Sequence, residues 1–186
     1  MQITEAIALE HATLLRLFDQ VERVLPSLGS AAEVGTLATV VEGLLRTHAE
    51  LEIKFAFVAL DHALHDKGRL ATLHQDHREL DERLRQVHEA PTCERARRLL
   101  RAAMRASREH FRHEERELFP VLERALGLGV LAALGEAFKK ASKAKTNGPR
   151  SAALGLRLDA GLVPQTGTTR PRPARRFRCR TNRSAG

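Results

Sequence analysis

The chain contains no tryptophan and no tyrosine, and only seven phenylalanines among its 186 residues. With so few aromatics, the interior must be built from Leu, Val, Ile and Ala. That composition suits packed helices better than sheets, which favour β-branched and aromatic side chains. Cysteine is almost absent. Cys93 in a helical stretch and Cys179 in a basic one make no disulfide framework, so unpaired thiols in a reduced cytoplasmic protein are expected. No apolar run approaches the ~18 residues that span a bilayer. The start, Met1-Gln-Ile-Thr-Glu-Ala, has neither a basic region nor a cleavage signature, so no membrane span and no secretory leader are expected. Acids are nearly missing from one end. Residues 139–186 hold 13 Lys and Arg against Asp159 alone, about +12, so the chain's net charge of +8 is owed to this tail. The rest of the chain is about −4, which argues against reading the folded part as a nucleic-acid binder.

What the chain does have is helical periodicity. Ile7, Leu14, Leu17, Phe18, Val21 and Leu25 recur at three and four, predicting a helix from about Thr4 to Leu25 that Pro26 and Gly29 end. Ser30-x-x-Glu33 has capping-box spacing and opens a second helix that reaches about His62. A third covers about Arg69 to Ala90, and Pro91 stops it. Thr92 is the expected N-cap of a fourth, which runs to about Leu126 with a kink near Pro120. A short fifth helix is expected over about Val130 to Ala141.

The chain also repeats itself. Glu10-His11-x-x-Leu14 with Gln20-Val21 matches Asp76-His77-x-x-Leu80 with Gln86-Val87 at the same spacing. His48-x-x-x-Glu52 with Phe57 matches His110-x-x-x-Glu114 with Phe119. A helical hairpin used twice predicts an all-α fold, an up-down-up-down four-helix bundle with pseudo-two-fold symmetry. Beyond about Lys140 the register gives way to Gly, Ser, Thr, Pro and Arg. The expected organisation is a bundle over 1–140 and a disordered basic tail over 141–186.

Residues four apart share a helix face, so His48 with Glu52, and His110 with Glu114, can each present one nitrogen and one carboxylate to a common space. His11 and His77 lie on apolar stripes and add one nitrogen from each remaining helix. A carboxylate can bridge two cations, and imidazole suits iron, zinc or manganese. Two divalent ions offset both glutamates, and an oxo or hydroxo bridge could supply the remaining charge. Burying two glutamates without cations would be costly. His74, three residues before His77, could be a further ligand or stand at an entrance. His113 and the carboxylates of Glu115 and Glu117 are expected on a solvated face.

The order His, His-x-x-x-Glu, His, His-x-x-x-Glu, followed by Glu114-Glu-Arg-Glu-Leu-Phe-Pro120, resembles the hemerythrin-like cation-binding (HHE) domain over about residues 3–138. The resemblance implies a non-haem di-iron centre, with His11, His48, His77 and His110 as terminal ligands and Glu52 and Glu114 as bridges. The four-His, two-Glu set is similar to that of bacterial di-iron proteins that repair iron–sulfur clusters. In the oxygen carriers of the family the third helix shows His-x-x-x-His and the fourth His-x-x-x-x-Asp; this chain has His74-x-x-His77 and Glu114.

The expectation is therefore a cytoplasmic di-iron protein that binds or senses O2, NO or peroxide, as in a stress response, or handles iron. An alternative is an enzyme that uses the same centre in peroxide or NO detoxification or cluster repair. A third reading is a helical interaction module without metal, whose tail contacts nucleic acid or an acidic partner weakly and with strong salt dependence.

Overall fold

Capping chemistry sets where each helix starts. The computed structural model describes residues 1–63 and 68–146, side chains excepted at 68–73 and 146. Helix α1 is Ile3–Val24, and the Gln2 N–H donates to Glu5 Oε2 at 2.7 Å in its first turn. It closes in a tight 3-10 turn at Leu25–Ser27, around Pro26. The expected capping box opens α2. Glu33 N–H donates to Ser30 Oγ (3.2 Å) and Ser30 N–H donates to Glu33 Oε2 (3.1 Å). Helix α2 is Ala31–Glu52, which continues through a π-turn at Ile53–Phe57 into Val58–Ala63. Helix α3 is Gly68–His88. The Thr92 hydroxyl oxygen accepts from Arg95 N–H (3.2 Å) to start α4, which is Cys93–His113, a π-turn at Glu114–Leu118 and Phe119–Ala125. Helix α5 is Leu128–Thr146. Among the described residues no strand occurs and no helix is long and apolar enough to cross a membrane.

Two features differ from expectation. Helix α5 runs through Thr146, past the expected end at Ala141 and past the edge drawn for the bundle at residue 140. Ser142 Oγ donates to Glu10 Oε1 at 2.8 Å and Lys145 pairs with Glu50, so tertiary partners hold the extra turn. Lys143 and Lys145 also complement the negative end of the helix dipole. The remainder of the expected tail, with Cys179, lies outside the described residues. The second difference is the pair of π-turns, each beside the Glu of a His-x-x-x-Glu unit. Proline lacks an N–H and crowds the preceding turn, and Pro120 follows the second π-turn. The first has no proline, so proline is not the common cause.

Helices α2 and α4 pack against each other, and each also packs on α1 and α3. The two His-x-x-x-Glu units therefore meet at the centre of the bundle. Two apolar clusters flank them. One holds Leu14, Phe18, Val41, Leu84, Leu100 and Met104; the other holds Ile7, Leu51, Phe57, Leu60, Leu122 and Phe138. Each buried Leu or Phe contributes about 1.5–3 kcal/mol. Helix α5 closes the second cluster with Leu131 and Phe138, both buried. It lies so close to the N-terminus that a Cβ on Gly135 would sit 2.3 Å from the Met1 carbonyl oxygen, which requires glycine there.

Candidate metal centre

Between the apolar clusters lies a polar layer. It draws one histidine from each of α1 (His11), α2 (His48), α3 (His77) and α4 (His110), with Glu52 and Glu114 between them. His11, Glu52 and Glu114 are fully buried. The atoms facing inward are the histidine Nε2 nitrogens and the carboxylate oxygens. His11 Nε2 lies 3.2 Å from His48 Nε2 and 3.3 Å from Glu114 Oε2. His48 Nε2 is 4.0 Å from Glu52 Oε2. On the other side, His77 Nε2 is 3.6 Å from Glu52 Oε2 and 3.9 Å from Glu114 Oε1, and His110 Nε2 is 2.9 Å from Glu114 Oε1. Two donor groups result: His11, His48, Glu52 and Glu114, and Glu52, His77, His110 and Glu114. Within each, the donor atoms lie within 4.8 Å of one another. The two glutamates belong to both.

All six residues named from the sequence meet in this layer. His74 does not belong to either donor group. It is half-buried, edge-on to Phe57 at 5.2 Å, and lines a cavity between α2 and α3.

Aromatic rings fix the imidazole planes. Phe111 stacks on His11 with centroids 4.1 Å apart, and Phe57 stacks on His77 at 5.8 Å. The repeated phenylalanines act alike, for Phe119 lies parallel to His11 at 6.1 Å.

Sequence reasoning missed the carboxylates behind the histidines. Glu10 Oε2 is 2.9 Å from His48 Nδ1, and Ser142 holds the other Glu10 oxygen. Glu115 Oε1 is 2.9 Å from His11 Nδ1, so Glu115 is not simply a solvated residue. Asp76 Oδ2 is 3.4 Å from His110 Nδ1. A carboxylate at Nδ1 holds the proton there and leaves Nε2 as the lone-pair donor. The repeat Glu10-His11 and Asp76-His77 carried this signal: the acid preceding each single histidine reaches the histidine of the following helix.

The electrostatics are those of a site that needs a cation. No oxygen of Glu52 or Glu114 makes a well-aligned hydrogen bond to a described residue, although imidazole nitrogens and the other carboxyl lie close. Burial pushes Glu114 up to about 8, with the charges of Asp76 and Glu115 adding to it. Burial and the neighbouring Glu114 charge raise Glu52 well above the carboxylate range. Burial, together with the other imidazoles, lowers His11 to about 2 and His77 to about 3. Burial lowers His110 too, against the pull of Glu52 and Asp76. For Glu10, burial alone would raise the carboxyl, but the His48 hydrogen bond and charge and the Ser142 hydroxyl together hold it below the usual value. His11, His77 and His110 are thus in their neutral, metal-binding form. A cation entering the layer would displace protons from the glutamates. Mixed imidazole and carboxylate donors without thiolate fit iron, zinc or manganese.

Four antiparallel helices enclosing a buried layer of imidazoles and shared carboxylates define a helical-bundle cation-binding protein. Residues 2–122, and again residues 70–140, match the Hemerythrin HHE cation binding domain, and the chain belongs to that family. The second match begins in α3, as expected of a chain whose second hairpin repeats its first. No curated protein and no solved structure matches the chain.

Proposed function

We propose that the chain holds two iron ions in this layer and uses them to bind or sense a small molecule such as O2, NO or peroxide, or to handle iron. His11 and His48 serve one ion, His77 and His110 the other, and Glu52 and Glu114 serve both. One observation carries the reading: two carboxyl groups that make no well-aligned hydrogen bond lie fully buried at the centre of four imidazoles. Apolar packing gives no reason to put them there, since a buried carboxyl without good hydrogen bonds costs about 1–3 kcal/mol when neutral and more when charged. Six side chains offer at most four nitrogens and four carboxylate oxygens, fewer than the roughly twelve donors of two octahedral ions. Positions for a small molecule remain. Bound iron would supply electron exchange and Lewis acidity; the protein's part is to hold imidazole tautomers through Glu10, Glu115 and Asp76 and to exclude bulk water.

Residues 1–146 form the binding unit in this reading, and the basic segment beyond it is an appendage. The test is the iron content and the visible spectrum of the full chain loaded with iron, in air and after reduction. About two irons per chain, with charge-transfer bands that bleach on reduction, is the expected result; a colourless chain that takes up no iron anaerobically would sink it. An enzymatic role is then decided by whether the loaded protein consumes peroxide or NO faster than free iron does.

A further inference from the structure

The two hairpins superimpose in sequence. Position 48 corresponds to 110, 52 to 114, 11 to 77, and 10 to 76. The supports behind the histidines follow this symmetry in one direction. Glu10 reaches across to His48, and its counterpart Asp76 reaches across to His110. In the other direction the symmetry breaks. Glu115, the residue after Glu114, reaches His11. Its counterpart, the residue after Glu52, is Ile53. An isoleucine cannot accept a hydrogen bond, and His77 Nδ1 is buried with no partner among the described residues.

The surviving support on that side is also the looser one. Asp76 stands 3.4 Å from its histidine, whereas Glu10 stands at 2.9 Å and is itself anchored by Ser142. Access is unequal as well. The His11 side chain is fully buried, and that of His77 is 12% exposed. A cavity of about 250 Å³ between α2 and α3 is lined by both histidines of this position, His77 and His110, with Ile53, His74 and Leu80, and by only one histidine of the other position, His48. His11 does not line it.

We infer that the two cation positions are unequal, and that the His77–His110 position is the weaker, exchangeable one because Ile53 stands where its symmetry mate supplies a carboxylate. This rests on the proposed two-cation reading. A ligating histidine that lacks its partner at the second nitrogen binds metal about 10–100-fold more weakly. Ile53 is a positioning residue, acting by what it withholds from His77.

The test titrates the full metal-free chain with Fe(II) under anaerobic conditions, followed by calorimetry and by metal analysis after dialysis. The wild type should take up two ions in two steps about 10–100-fold apart. A chelator should strip one ion fast and the other slowly. Glu115→Ile copies the Ile53 environment onto the His11 position at a partly exposed site, so the fold is spared; it should bring the tight step down to the weak one. Ile53→Glu should tighten the weak step by about tenfold or more and leave the tight step unchanged. Two ions of equal affinity in the wild type would overturn the inference while leaving the two-cation reading intact. So would a Glu115→Ile chain that still binds in two separated steps. A chain that binds no Fe(II) would overturn the two-cation reading itself, and the inference with it.

Discussion

The polar layer and the apolar clusters on either side of it are built from the same four helices but obey opposite rules. In the clusters every side chain is apolar, and burial alone stabilises the fold. One turn away, the layer buries carboxyl groups that make no well-aligned hydrogen bond and holds His11 and His77 neutral. The clusters hold the helices together, and their rigidity keeps the layer assembled at a cost in stability. That contrast predicts that damage to the clusters reads out as unfolding, whereas damage to the layer reads out as lost metal.

The largest effect should come from the clusters. Leu100 is completely buried. Leu100→Ala should cost about 2–5 kcal/mol through lost transfer energy and the cavity left behind. Urea denaturation of the metal-free chain would measure it. Any molecules that remain folded should still bind metal at unchanged stoichiometry; a changed stoichiometry would mean that layer and scaffold are not separable.

Metal saturation comes next. A cation that binds only the folded chain, at a free concentration 100 times its dissociation constant, stabilises by about 2.7 kcal/mol. The melting temperature should rise with metal concentration accordingly. Glu114→Gln keeps the volume and removes the charge that a cation needs. It should abolish most of this gain while leaving the metal-free protein about as stable as before, since Glu114, raised to about 8, is already protonated near neutral pH. Equal metal stabilisation in the variant would remove Glu114 from the site.

A smaller effect distinguishes the two regions by pH. Metal-free and folded, Glu114 keeps its proton up to about 8, whereas in the unfolded chain it releases it near 4.5. The stabilisation from that held proton is full below about 4.5 and is lost as pH rises through 8. His11 and His77 act in the opposite sense. Their folded values near 2 and 3 lie below the unfolded 6.5, so stability rises with pH across that interval. Above 6.5 the histidine contribution levels off within about one pH unit and the raised glutamates dominate. Metal-free stability should therefore fall between pH 6.5 and 8, by at most about 1.4 kcal/mol per pH unit for each proton released. Bound metal should reverse the trend, because it takes the place of those protons. A chain that is equally stable at pH 6.5 and 8 without metal would show that the carboxylates are not held neutral.

The contrast also explains what could be read from the sequence. The six residues that meet in the layer were legible because each sits on an apolar stripe, where a charged or titratable residue needs a reason, and because the pattern occurs twice. The helix starts were legible from Ser30, Glu33 and Thr92. The supports behind the histidines were not. Glu10, Asp76 and Glu115 are charged residues at the edge of a helix face, and most such residues are solvated; only the fold shows which imidazole each one meets. Ile53 was harder still, for it passes as an ordinary core residue until set against its symmetry mate. The π-turns leave no mark in composition, and Pro120 accompanies just one of them. The end of α5 was misjudged because its last turn is held by Glu10 and Glu50, far away in the sequence.

The smallest prediction tests the separation from the scaffold side. Ser30 and Thr92 cap α2 and α4, the two helices that carry the His-x-x-x-Glu units, but they do so at ends remote from the layer. Replacing either by alanine removes an acceptor for a first-turn N–H and should cost about 1 kcal/mol. Ser30→Ala should cost slightly more, because the reciprocal bond from the Ser30 N–H to Glu33 loses its geometry along with the hydroxyl. Neither cap touches a donor or its supporting carboxylate. Unfolding curves with and without metal should therefore shift by the same amount in each variant, and the metal affinity should stay at its wild-type value. A cap variant that weakened metal binding would mean that strain at a helix start reaches the polar layer. The clusters would then transmit motion along the bundle rather than isolating the site from it.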